Sequence, residues 1–548
     1  MHSVAALLQL LCLLLSLHQS PCSGAAAATA SNFSSCLVSN GVTNFSLPTS
    51  PSYAGLLNSS IFNLRFTLPN VPGPAAVVLP ESRDGLRQAI LCARTSSLAI
   101  RVRSGGHSYE GLSYTGPPIC CSLRQAVAQS HRGQSTWAGP LRCEGKNRKN
   151  HSRYDFPSYT TENRVQFVVV DLANLNRVRV EAGSATAWAE SGATVGELYY
   201  AVGQSSHSLA FTAGSKSTTR LGGHVSGGGF GLLSRKFALA ADNRRRRREL
   251  GCGVRLEALA RSSSSQRHRV HRRPDRSGRT HRRLTSQVAV CWAQSTGHLS
   301  VYAPTGSTDG NVSISFTGQV LPSKEHALSV LSQSFPELGL TERDLSEMSW
   351  VESTAKFAGL STVEDLANWR RQPKQYSKSK SDYVQAPILR NDMVEIVRYL
   401  STGPTGSIQL DPYGGAMARV GSAEAPFPHR AGNLYSIQYN VNWDRPQVAR
   451  AEEYIGWFRS FYKYMAPFVS KDPRAAYVNY LDLDLGVNNW TWAAGGSSAQ
   501  AVARARSSWR EAYFGGNFDR LVRAKTVADP GSVFNNAQSI PPFNIRAE

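Results

Sequence analysis

Long apolar runs are what this sequence has least of. One stretch, Val4 to Leu17, stands out, and it is too short to cross a bilayer comfortably. No other run approaches a span, so no integral membrane segment is expected in the mature chain. Acid is also scarce: 38 Asp and Glu face 60 Lys and Arg, for a net charge of +22. There is no phosphate-binding Walker loop, no Cys-His zinc spacing and no serine nucleophile elbow. No internal repeat and no heptad run occurs. These absences argue against a membrane-spanning protein, a P-loop nucleotide hydrolase, a zinc-finger protein, a serine hydrolase and a repeat array, and no metal ligand set is proposed.

What is present is length and enough apolar residues for real cores. At 548 residues with 41% apolar content, two or three domains are expected. Residues 1–28 read as a secretory signal: the apolar run is followed by Gly24, Ala25 and Ala26, small residues where a peptidase can cut. Export implies sugar and oxidising surroundings. Sequons lie at Asn32, Asn44, Asn58, Asn150, Asn311 and Asn489. Of nine cysteines, Cys12 and Cys22 leave with the signal, and the remaining seven are an odd number. Cys36 and Cys92 are the expected disulfide. Cys120, Cys121, Cys143, Cys252 and Cys291 lie in or beside segments of foreign texture.

Those segments hold much of the charge. Residues 244–283 carry 15 arginines against Glu249, Glu257 and Asp275, a balance of +12. A basic balance spread over the surface would suit an anionic polysaccharide. One block of arginine in an exported chain does not point to nucleic acid, and none is expected as a partner. Residues 119–164 show no sustained period. Neither stretch offers enough apolar surface to offset an ordering entropy of roughly 1–2 kcal/mol per residue. Both are expected to be disordered or badly packed.

Elsewhere strands and helices alternate. AAVVL and the run ending at RV (101–102) read as strands around a helix in RDGLRQAILCARTSS. FVVVDL (167–172) is a buried-strand run, RVRVEAGSATAWAESG alternates as strands do, ATVGELYYAVG suits a short helix and SLAFTAG is extended. From about residue 299, LSVYAP, NVSISFTGQV, SIQLDPYGG, LYSIQYNVNW and AAYVNYLDLDLG read as strands. HALSVLSQSF and SDYVQAPILRNDMVEIVRYL read as helices. Two more helices follow around VARARSSWREAYF and FDRLVRAKT, before the final coil FNNAQSIPPF. The pattern suggests a mixed cofactor domain and a second domain built on an antiparallel sheet with helices on one side.

Two glycine clusters sit about 115 residues apart: RSGGHSYEG (103–111), where a strand should end, and LGGHVSGGGFG (221–231). With the signal, the sequons and the blocks FVVVDLANLNRVRVEAGSATAWAESGATVGELYYAVG, PFPHRAGNLYSIQYNVNW, DPRAAYVNYLDLDLG and FNNAQSIPP, the chain resembles the berberine bridge enzyme-like flavoproteins of plants. These are FAD-linked oxidases of the vanillyl-alcohol oxidase and p-cresol methylhydroxylase superfamily. The likeness covers most of 35–118, 165–243 and 299–548.

The resemblance implies an α+β fold: a two-part FAD-binding domain of the p-cresol methylhydroxylase type and an antiparallel-sheet substrate domain with helices on one side. The parts would run 29–74 (N-terminal segment), 75–243 (FAD domain with an insert at 119–164), 244–298 (aberrant), 299–490 (substrate domain) and 491–548 (return to the FAD domain). In the two odd stretches the family pattern breaks off, and they read as a shifted frame or retained intron in the gene.

A pyrophosphate needs backbone N–H donors with no side chain in the way. Ser104, Gly105, Gly106 and Ser108 offer one nest, and Gly222, Gly223, Gly228 and Gly229 another. By resemblance His107 tethers FAD covalently, and a second tether is absent because Lys216 replaces the expected cysteine. Arg220, in a family glycine position, is expected to crowd a tight turn. His224 is counted with the cofactor-binding residues of the second loop, where it is expected to bond backbone, and His429 and Arg430 are expected to be structural.

Gln438 falls where relatives carry a glutamate base or a glutamine and would orient substrate. A tyrosinate from Tyr109 or Tyr480 would then be the base, with its pKa lowered by a cation or stacked donors. Ser436 and Phe230 stand where some relatives place a lysine and a tyrosine. Thr219 marks the position governing oxygen access. The implied activity is oxidation of an alcohol of a carbohydrate or phenylpropanoid, with electrons passed to molecular oxygen to give hydrogen peroxide. The partner is a small-molecule or oligosaccharide substrate, the state a monomer, and the location extracellular, cell wall or vacuole. The alternative is a flavin-free cationic cell-wall glycoprotein that binds anionic polysaccharide.

Overall fold

Strands form where the apolar runs place them. The computed structural model describes residues 22–116, 166–243, 253–256, 260–261, 267–272, 296–303, 313–320, 323–368, 374–488 and 509–543. The signal before residue 22, the insert 119–164, most of 244–298, and Asn150, Asn311 and Asn489 lie outside the described residues. So do Cys120, Cys121, Cys143, Cys252 and Cys291.

The N-terminal half is built on a four-stranded sheet of β1 (Phe45–Ser46), β2 (Ala76–Val78), β3 (Ala99–Arg103) and β4 (Phe167–Asp171), in the order β1-β2-β4-β3. The β2–β4 and β3–β4 pairs are parallel, and β4 is buried along its whole length, as its FVVVD run requires. The helix Arg83–Thr95 is capped by Ser82, whose hydroxyl accepts the Gly85 N–H at 3.0 Å, and it buries Ala89, Cys92 and Ala93. A disulfide joins Cys92 to Cys36 on the helix Cys22–Ser39. Asn32, Asn44 and Asn58 are exposed.

Further strands are β5 (Val178–Glu181), β6 (Thr186–Glu190), β7 (Leu209–Ala210), β8 (Gly253–Leu256), β9 (Ala260–Arg261) and β10 (Arg267–Arg272). β5 and β6 form a hairpin, β8 extends it, and β7 pairs with β9. The expectation of disorder across 244–283 is therefore corrected at three places. Ladder pairing is a backbone property, so these short pieces can join neighbouring strands whatever their side chains.

The second half is a seven-stranded sheet. It adds β11 (Thr296–Ala303), β12 (Ser313–Val320), β13 (Leu345–Met348), β14 (Tyr376–Val384), β15 (Gly406–Pro412) and β16 (Tyr435–Trp443), in the order β13-β10-β12-β11-β15-β16-β14. Every pairing in it is antiparallel. Alternate residues of β16 (Ile437, Tyr439, Val441 and Trp443) enter a large core with residues of the helices Arg390–Ser401 and Ala451–Tyr464. The other face is left for a cavity.

Two assignments are corrected. SDYV ends β14 and is not helical; all four of its residues pair across to β16. AAYVNYLDLDLG forms 3-10 turns at Val478–Tyr480 and Leu483–Leu485, not a strand. Its polar groups bond to other segments: Tyr477 N–H donates to Ser381 Oγ at 2.9 Å, and Asp482 N–H to Tyr513 Oη at 2.8 Å. Among the described residues no helix is long and apolar enough to cross a membrane.

Candidate functional site

A cavity of about 970 Å³ lies between the two halves. Its size is at the upper end for ligand sites. One end is built from backbone and the other from side chains.

The backbone end begins where β3 stops. Arg103, fully buried, pairs with Asp171 at 2.6 Å and donates to the carbonyls of Leu57 and Leu56 at 2.7 and 2.8 Å, which anchors the strand exit. The chain then turns through Gly106 at φ +70°, and a Cβ there would lie 1.9 Å from the Ser60 carbonyl oxygen. Only glycine fits that position. The second cluster lies against the first. Ser191 O accepts from Ser104 Oγ at 2.8 Å and from Gly222 N–H at 3.0 Å, so one carbonyl holds both. A Cβ on Gly222 would be 2.8 Å from that oxygen, whereas one on Gly223 would meet nothing within 4 Å. Among the described residues, the amides of Gly105, Gly106, His107 and Ser108 donate no hydrogen bond.

Three details depart from the sequence reading. LGGHVS forms a short helix, Leu221–Ser226, rather than a loop. Gly228 and Gly229 do not line the cavity; they are packed against Phe427 and Ala240, and Gly228 N–H is taken by Val225 O. Arg220 does not crowd its turn. Its φ of −92° is ordinary, and its guanidinium donates to Gly192 O at 2.8 Å.

His107 lines the cavity at this end. Its ring stacks on Phe62 at 4.2 Å, and its Nε2 is 3.1 Å from Thr218 Oγ1. Desolvation, helped by the nearby Lys216 charge, brings its pKa down to about 3, so the imidazole is neutral. Lys216 also reaches the cavity, where loss of hydration holds its ammonium below the ordinary lysine value. His224 Nε2 accepts the Gly214 N–H at 2.9 Å, and burial lowers its pKa to about 4. Thr219 lines the same wall.

The side-chain end is the open face of β15, β16 and β14. Ser407, Gln409 and Asp411, then Gln438, Asn440 and Asn442, then Ser377 and Ser379 line the cavity. The register aligns Gln409 with Gln438 and Ser379 with Asn440, so the polar side chains form rows. Gln438 Nε2 donates to the Tyr109 hydroxyl at 2.6 Å, and Tyr109 stacks on Tyr480 at 5.7 Å. Three predicted residues, from positions 109, 438 and 480, thus converge. The expected lowering of the phenol pKa values does not occur. Burial raises Tyr109 and Tyr480 above the ordinary tyrosine value, and the Gln438 hydrogen bond only partly opposes this for Tyr109.

Sequence reasoning missed most of this floor. It also missed the charged seam behind it. Lys378 bridges Glu110, next to Tyr109, and Asp482, two residues after Tyr480, the latter at 2.8 Å. Lys380 contacts Asp482 and Asp484 at 2.5 and 2.6 Å, and Arg459 reaches Asp484 at 2.8 Å. Burial disfavours the Lys378 charge, yet Glu110, Asp482 and Asp484 outweigh it and hold the ammonium above its ordinary value. Burial likewise opposes the Asp482 charge, and the two lysines prevail and keep that carboxyl low. Among the described residues, no group of His, Cys, Asp and Glu could hold a metal ion.

Two family models match: "FAD binding domain" over residues 157–263 and "Berberine and berberine like" over 476–541. Berberine bridge enzyme-like D-2 of Nicotiana tabacum is 37% identical across 94% of this chain and 92% of its own. Reticuline oxidase of Papaver somniferum is 36% identical across 93% and 92%. The structure of berberine bridge enzyme from Eschscholzia californica superposes with a TM-score of 0.77 at 34% identity, covering 93% of this chain and 99% of that one. A Phl p 4 variant that is a glucose oxidase gives 0.76 at 30%, with the same shares.

Proposed function

This chain belongs to the berberine bridge enzyme-like FAD-dependent oxidoreductases, and on that premise we propose that it oxidises a carbohydrate alcohol to a carbonyl. The observation that carries this is the strand floor. Seven of its eight side chains are neutral hydroxyls and carboxamides, each able to donate and accept toward a polyol. The stacked Tyr109 and Tyr480 add aromatic surface. A phenylpropanoid alcohol would leave most of those groups without partners, a costly outcome. The glucose-oxidase variant of Phl p 4 supports the same choice.

The residues present fit FAD. The cradle offers unengaged amides for a pyrophosphate, and Gly223 leaves room where a side chain would intrude. When bound, FAD accepts a hydride from the substrate carbon. Ser104, Gly105, Gly106, Ser108, Gly222 and Gly223 would hold it, and the neutral His107 would be its single covalent tether, since Lys216 cannot form a thioether. Gln438 and Tyr109 orient the substrate hydroxyl. The cofactor half spans residues 75–243 with the C-terminal segment, and 299–490 supplies the substrate half. Molecular oxygen would be the final electron acceptor, giving hydrogen peroxide. The leader and the exposed Asn32, Asn44 and Asn58 support a secreted, glycosylated protein.

The test is protein purified with its sugars, acid-precipitated and assayed for peroxide with neutral oligosaccharides. Yellow colour in the precipitate and sugar-dependent peroxide are expected. Colourless protein that binds pectin with steep salt dependence overturns the proposal in favour of the flavin-free glycoprotein.

A further inference from the structure

The floor of the cavity carries one carboxylate. Asp411, on β15, is 5% exposed and is the one carboxylate among the described residues that line the cavity. The Gln409 amide donates to both of its oxygens, at 3.0 and 3.1 Å. Gln409 lies opposite Gln438, which holds the Tyr109 hydroxyl, so the acid, two carboxamides and a phenol share one end of the cavity. Among the described residues no Lys, Arg or His is within ion-pair distance of Asp411.

We propose that Asp411 is the proton acceptor of the alcohol oxidation, a role that rests on the reading of this chain as an alcohol oxidoreductase. The substrate O–H bond breaks and its proton goes to an Asp411 carboxylate oxygen. The carbinol C–H bond breaks and its electron pair leaves with the hydrogen as hydride to FAD. The carbon–oxygen double bond forms, the substrate losing two electrons and FAD gaining them.

Two observations favour Asp411 over the alternatives. Burial without a cation pushes its carboxyl up to about 7, against the opposing Gln409 hydrogen bonds, which poises it near neutral pH. The titratable groups facing it are the phenols of Tyr109, Tyr413 and Tyr480, each raised by its own burial and therefore protonated. Gln438 is an amide and cannot take a proton. The active form of Asp411 is the carboxylate, so turnover rises with pH through its pKa.

The experiment compares holoprotein and D411N by anaerobic flavin reduction with a neutral oligosaccharide across pH, and by difference infrared spectroscopy of carboxyl bands. Wild type should show an acid limb with a midpoint near 7. D411N should reduce flavin about 100-fold or more slowly, without that limb and with an unchanged flavin spectrum. A carboxyl band titrating near neutrality should vanish. If D411N loads no flavin, D411E takes its place, with a shifted midpoint and a rate about tenfold lower. A D411N rate within about threefold of wild type with the acid limb intact, or an unchanged infrared titration, overturns the role of Asp411 alone. Wild-type holoprotein that no alcohol reduces overturns the oxidoreductase reading and this role with it.

Discussion

The two ends of the cavity are made of different material. The cradle is backbone: its residues matter for the side chains they lack and for the amides they leave free. The floor is side chain: its hydroxyls and carboxamides matter for where strand register places them. A site built from backbone tolerates almost no added atom at its closest contacts. A site built from side chains loses one contact at a time. The buried seam of Lys378, Glu110 and Asp482 ties the two together, since it fastens the segments that bear Tyr109 and Tyr480 behind β14.

Breaking the seam should have the largest effect. Lys378→Met leaves the buried Glu110 without its cation and Asp482 with Lys380 alone, a cost of about 3–5 kcal/mol. A large fall in melting temperature, with loss of the Tyr109–Tyr480 geometry and hence of activity, is expected by calorimetry and assay. The seam also sets an acid limit. The native carboxyls of Asp482 and Asp484 are held low by their cations, so their contribution is present above the ordinary aspartate pKa of about 4 and is lost as pH falls below it.

Gly106→Ala comes next. A Cβ there meets the Ser60 carbonyl oxygen, and the left-handed φ adds strain, together about 3 kcal/mol. The ratio of flavin to protein absorbance should drop sharply. Gly223→Ala sharpens the contrast. Its Cβ meets nothing in the protein and sits in a helix, so stability should hold or rise within about 1 kcal/mol. Flavin loading should still fall, because the methyl group enters the space a cofactor needs. If Gly223→Ala loads flavin normally, the cradle does not face the cofactor there.

Floor changes should be milder. Asn440 Oδ1 accepts from Ser379 Oγ at 2.7 Å and lines the cavity. Asn440→Ala should raise KM about tenfold, about 1.4 kcal/mol, with kcat and melting temperature little changed. Steady-state kinetics would show whether kcat moves instead. The smallest effect is on stability: D411N should gain in melting temperature on wild type as pH rises from about 4 to about 7, with no further gain above that. A raised native pKa means that the folded chain keeps the proton where the unfolded chain has released it, so the acid's cost builds between the ordinary aspartate pKa of about 4 and the native value of about 7 and is fully present above that.

The same contrast explains what could be read from the sequence. Gly105, Gly106, Gly222 and Gly223 announce themselves, because few tasks other than close approach demand such clusters. Gly228 and Gly229 carry the same letters and serve packing against Phe427 and Ala240, a difference that only tertiary contacts decide. The floor is written in SIQLDP and YSIQYNVNW as polar residues at every second position. Which face of those strands meets a cavity is set by helices that cover the other face. Asp411 looks like the polar end of a strand until register lays Gln409 beside Gln438. Lys378 and Lys380 alternate like an exposed edge, and their burial depends on acids about 270 and 100 residues away. The Arg-rich stretch looked unable to pack, and its short strands are held through backbone pairing instead.

Anaerobic mixing of the purified holoprotein with neutral oligosaccharides and, separately, with aromatic alcohols tests the central claim most directly, by following flavin absorbance. The polar floor predicts rapid, saturable bleaching by an oligosaccharide and slow or no bleaching by the aromatic alcohols. Bleaching by the aromatic alcohols alone would contradict it.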